Sequence, residues 1–75
     1  MALTKEQSTA LKGRIVRVVQ ERDVLTKATL THELALERNS DPALIAVILK
    51  IGEITKTKYS ESVVDLDAFI DSLVD

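Results

Sequence analysis

Cysteine and tryptophan are absent from this 75-residue chain, which has one proline, one histidine, two glycines and two aromatic residues, Tyr59 and Phe69. Each shortage excludes something. Without cysteine there is no disulfide, no thiolate ligand and no thiol redox chemistry. Gly13 and Gly52 stand far apart, so no glycine-rich loop can cradle a phosphate. The lone histidine opens His32-Glu33-Leu34-Ala35-Leu36, which starts like a zinc-protease helix but has leucine where the second imidazole is required. Long apolar runs are also missing. The longest, Ala43 to Leu49, falls well short of the roughly 20 residues that span a bilayer. The segment Met1 to Glu6 has no basic stretch leading into an apolar one, so no signal peptide is expected and a cytoplasmic location is the default.

What is present is aliphatic. Leu, Ile and Val supply 24 residues within a chain that is 45% hydrophobic and 29% charged, the composition of a folded domain. Its length allows one domain, residues 1–75, and one core. Domains below roughly 70–80 residues often need a disulfide, a metal or a partner chain to be stable. With no cysteine and no ligand cluster, self-association is the remaining route.

Local signals divide the chain. Thr4 and Gln7 fit a capping box at a helix start. Leu11, Ile15, Val18 and Val19 then form an apolar stripe, with Arg17 and Glu21 as an i,i+4 pair on the far face. The first helix is expected to end near Arg22-Asp23. Val24-Leu25 reads as a short connector and Thr26 as the cap of a second helix reaching about Arg38, closed by Asn39-Ser40. Asp41-Pro42 is the clearest start signal in the chain, with a capping carboxylate before a proline that has no N–H to satisfy. The helix behind it, 42–54, is apolar around most of its circumference and is expected to be a buried spine. Ala43, Ala46, Lys50 and Glu53 form its one small or polar edge, a candidate partner contact. The Thr and Tyr content of Ile54 to Tyr59 favours extended chain. Leu66, Phe69, Ile70, Leu73 and Val74 match a C-terminal amphipathic helix.

These readings predict an all-α bundle of about four helices around the central helix, or a winged-helix-like variant with a short β-hairpin at 54–66. Chemistry is not expected. Asp65, Asp67 and Asp71 do not fit a calcium loop, because Ile70 takes the position that needs glycine. Asp71-Ser72-Leu73 is similar to the attachment triplet of acyl carrier proteins, but Ser72 lies inside the last turns of the chain rather than opening a helix in mid-domain. No catalytic, cofactor or metal set is expected. The functional expectation is a non-enzymatic interaction or oligomerisation module, a homodimer or a docking partner for another protein. The alternative is a small winged helix-turn-helix regulator in which Arg14, Arg17, Lys56 and Lys58 meet phosphates. Against it stand the net charge of −2 and a third helix with few side chains able to read bases. Charge is polarised along the chain. Residues 1–27 carry six basic and three acidic side chains, whereas residues 60–75 carry only acidic ones.

Overall fold

The computed structural model describes residues 3–74; Met1, Ala2 and Asp75, the last member of the acidic run, lie outside them. Two long helices, α1 (Lys5–Glu37) and α2 (Pro42–Leu73), fold back on each other as an antiparallel hairpin. Its extents are 56 × 15 × 13 Å, and its radius of gyration of 17.0 Å exceeds the roughly 11 Å of a compact chain of this length. The bundle of about four helices is therefore overturned, and so is the winged-helix variant: among the described residues there is no strand.

The helix ends follow from local chemistry. Thr4 and Gln7 form the capping box, with Gln7 N–H donating to Thr4 Oγ1 at 3.1 Å and Thr4 N–H donating to Gln7 Oε1 at 2.9 Å. At the other end of α1, Asn39 takes a left-handed φ of 50°. Ser40 N–H reaches Ala35 O and Asn39 N–H reaches Leu36 O, the paired bonds of a Schellman close. Asp41 then accepts from Ala43 N–H at 2.8 Å, and Pro42 occupies the first position of α2.

Neither interior break occurs. Between Gly13 and Pro42 no glycine or proline interrupts the chain, and α1 runs straight through Val24-Leu25. Thr26, expected to be a cap, instead donates its hydroxyl to Arg22 O one turn back. Residues 54–66 are helical for a related reason. The hydroxyls of Thr55, Thr57 and Ser62 bond to carbonyls three or four residues earlier, so the polar side chains are satisfied inside the helix. A hairpin there would also need a residue suited to positive φ, and Ser60-Glu61-Ser62 offers none.

The two helices meet along a heptad seam. From Leu11 onward, the positions of α1 that are not exposed are Leu11, Arg14, Val18, Glu21, Leu25, Ala28, His32 and Ala35. On α2 the same alternation of three and four runs through Ile45, Ile48, Gly52, Thr55, Tyr59, Ser62, Leu66, Phe69 and Leu73. Among the described residues only Ala35, Thr55 and Ser62 are buried. Small side chains at the seam let helix axes approach near the short end of the usual 8–10 Å range. The spine expectation fails accordingly. Ile45 and Ile48 are half-buried, but Leu44, Val47, Leu49, Ile51 and Ile54 are exposed.

Both glycines lie inside helices, and a Cβ built on either meets nothing within 4 Å. Glycine costs about 1 kcal/mol relative to alanine in a helix interior. Gly13→Ala and Gly52→Ala are each expected to raise unfolding stability by about that amount, measured by urea denaturation followed by circular dichroism.

Candidate interaction surface

The hairpin divides its side chains in an unusual way. Arg14, Glu21 and His32 occupy seam positions, while sixteen of the 24 Leu, Ile and Val side chains are exposed. Folding α1 against α2 thus leaves most of the aliphatic surface in water. Isolated exposed leucines are ordinary, but contiguous ones mark contact sites.

One group is contiguous. Leu44, Val47, Ile51 and Ile54 follow an i, i+3, i+7, i+10 spacing, a second heptad stripe on α2. Each precedes a seam residue by one position, which rotates the stripe about 100° from the seam. On α1, Val24, Lys27, Thr31 and Leu34 also precede seam residues and are also exposed. The ion pair between Arg17 and Asp65 shows that such positions on the two helices share one edge of the hairpin, because both of these residues precede seam residues as well. Near the turn, therefore, this edge is an apolar stripe on α2 with Leu34 of α1 beside it, while Thr31 and Lys27 make the α1 side polar. Toward the open end it becomes charged, with Lys58, Glu61, Arg17 and Asp65.

The charge polarity of the sequence finds its partner inside the hairpin. Folding brings the basic start of α1 beside the acidic end of α2. Arg14 Nε lies 3.3 Å from Asp65 Oδ2, and Arg17 Nη1 lies 3.8 Å from the same oxygen. The Arg14 Nε–H is not aligned on the carboxylate and has no hydrogen-bond partner, so this contact is an ion pair without an aligned hydrogen bond. Arg14 also donates to Ala10 O at 3.3 Å and lies 4.2 Å from the Phe69 ring centroid. These charges are a third or more exposed, so each pair contributes less than about 1 kcal/mol. Their role is to set which helix edges meet. Arg17 thus pairs with Asp65 rather than forming the i,i+4 contact with Glu21 that its spacing suggested.

The remaining sequence candidates fall as follows. Ala43, Ala46, Lys50 and Glu53 are all exposed, on the back of α2 and along the edge opposite the apolar stripe. Arg14 and Arg17 are engaged with Asp65, and Lys58 lies on the same edge as Arg17 among the acidic Glu61 and Asp65, whereas Lys56 is exposed on the opposite flank of α2. His32 is half-buried at the seam, beside a shallow groove lined also by Ala28, Ile48 and Gly52. Among the described residues no group of three or more His, Cys, Asp or Glu side chains could hold a metal ion. Among the described residues no helix is long and apolar enough to cross a membrane. The stripe at Leu44, Val47, Ile51 and Ile54 escaped sequence reasoning because it was folded into an all-round apolar helix. Its heptad spacing, one residue out of phase with the seam, was the signal that could have found it. Comparison with family models, curated proteins and solved structures finds no match to this chain.

Proposed function

We propose that this chain is a non-enzymatic oligomerisation module whose hairpins complete their apolar burial by associating with one another. The observation that carries this reading is the division of side chains, with small and polar residues at the seam and large aliphatics outside it. The area supports it. A compact monomer of 8.3 kDa would expose about 4,600 Å², against the 5926 Å² exposed here. That excess is more than the roughly 800 Å² each partner contributes to a standard interface. A two-helix hairpin alone also has little to hold it, because long helices draw most of their stability from packing an apolar face.

Light scattering behind size exclusion tests the reading. The expected result is twice the chain mass at tens of micromolar, together with a melting temperature that rises with concentration, because association stabilises only the folded state. A strict monomer at millimolar concentration, with a melting temperature independent of concentration, would refute it.

A further inference from the structure

Resting on that reading, we infer that the partner is a second copy of this chain, and that the two hairpins join through the Leu44–Val47–Ile51–Ile54 stripe. We further infer that the two α2 helices run antiparallel and overlap only in the halves nearest the turns.

Three observations lead there. First, the stripe is self-complementary when reversed. Setting Leu44 against the partner's Ile54 sets Val47 against the partner's Ile51, so all four side chains meet apolar neighbours across a two-fold axis level with Leu49. Second, the stripe is bounded by charge on one side only. Beyond Ile54 the same edge carries Lys58, Glu61 and Asp65. Full-length antiparallel overlap would press the stripe onto those charges and bury them unpaired.

Third, like-charge avoidance selects the orientation. In the half-overlapped antiparallel register, Lys58 comes level with Ser40 of the partner subunit, in its turn, and Glu61 and Asp65 lie beyond the start of the partner's α2, so none of the three faces its own copy. A parallel arrangement, with both turns at one end, would match the stripes equally well. It would also bring Lys58 level with its own copy, and likewise Glu61 and Asp65. Rim charges contribute little attraction, but like charges in opposition suppress the wrong register.

Two measurements test this, and the absence of native cysteine makes the first clean. Ser60 is exposed on the flank away from the stripe, so Ser60→Cys accepts a nitroxide label without entering the contact. With the axis level with Leu49, 1.5 Å of rise per residue and the labels on the outer flanks, electron–electron resonance should give about 40 Å between labels on the two copies. A parallel dimer, with axes 8–10 Å apart and the labels on the outer flanks, would give a distance of about 20–30 Å. The second measurement replaces stripe and back-face residues. Ile51→Glu should abolish the dimer and the concentration dependence of melting, whether the hairpin then stays helical or unfolds. Ala46→Glu, on the opposite edge, should leave the dimer intact. A wild-type monomer would remove both this inference and the oligomerisation reading. A dimer that survives Ile51→Glu, or that gives the short distance, would overturn this inference and leave that reading standing.

Discussion

Lys27→Pro is expected to unfold the hairpin, whereas Lys5→Pro is expected to leave it folded. Position 27 lies in the middle of α1. A proline there removes the hydrogen bond to the carbonyl of Asp23 and sets its ring against that carbonyl, costing about 3 kcal/mol or more. Small domains have only about 5–15 kcal/mol in total, and a structure of two helices has no second layer to absorb a kink. The kink would also swing the remaining part of α1 off the seam, losing the packing of Ala28, His32 and Ala35. Lys5 is the first residue of the same helix, where the backbone N–H has no intrahelical partner and proline is tolerated. The preceding Thr4 has an extended backbone, φ −69° and ψ 162°, which suits a residue before proline. Far-ultraviolet circular dichroism with urea denaturation reads both outcomes. The comparison is decisive because the two architectures predict opposite signs. If a second helix began with Thr26 as its cap, position 27 would be a first helical position and proline would be welcome there. A stable Lys27→Pro variant would refute the continuous α1.

That contrast identifies which parts of the fold could be read from sequence. Helix ends are local. Thr4 with Gln7, Asn39, and Asp41 with Pro42 each act within a few residues of backbone, and all three operate as their chemistry dictates. The interior breaks were inferred from propensity. Val24-Leu25 and the Thr-rich stretch after Ile54 have strand-like composition, but propensity differences of a few tenths of a kcal/mol per residue yield to a continuous partner helix. The seam was the hardest feature to see. Its positions include Arg14, Glu21, His32, Gly52, Thr55 and Ser62, so a search for stripes of large aliphatics passes over it. Such a search instead groups Ile15 and Val19 with Leu11 and Val18, although the first two are exposed and the last two half-buried. At the C-terminus the same stripe logic worked in part: Leu66, Phe69 and Leu73 take seam positions, while Ile70 and Val74 do not. For the candidate surface, the expectation of a partner contact on α2 came from helix 42–54, but from its small-residue edge. The apolar flank could be recognised only once the seam had fixed which side of the helix meets α1.

Ser62→Leu is the substitution that tests that seam most directly, and it is expected to destabilise the hairpin even though it adds apolar surface. Ser62 is the most buried side chain among the described residues, 1% exposed, and its hydroxyl donates to Tyr59 O at 2.7 Å within its own helix. Among the described residues nothing across the seam bonds to that hydroxyl. What the site supplies is a small side chain at a seam position with almost no solvent exposure. A leucine would have to leave its preferred rotamers or push α1 away, at a typical cost of about 1–3 kcal/mol. Separation at this point would also weaken the flanking contacts of Tyr59 and Leu66, which share the seam. Ser62→Ala keeps the small volume, gives up only the intrahelical bond and gains helix propensity, so it should be neutral or slightly stabilising. The pair separates volume from polarity. Loss of stability in both variants would mean that the hydroxyl matters. A gain in the leucine variant would mean that the helices have room to spare and that the seam is simply underpacked. In that case the exposed aliphatics would be surplus apolar surface around a loose hairpin. Leucine destabilising while alanine does not is the outcome required if small residues were placed inside so that the large ones could face another chain.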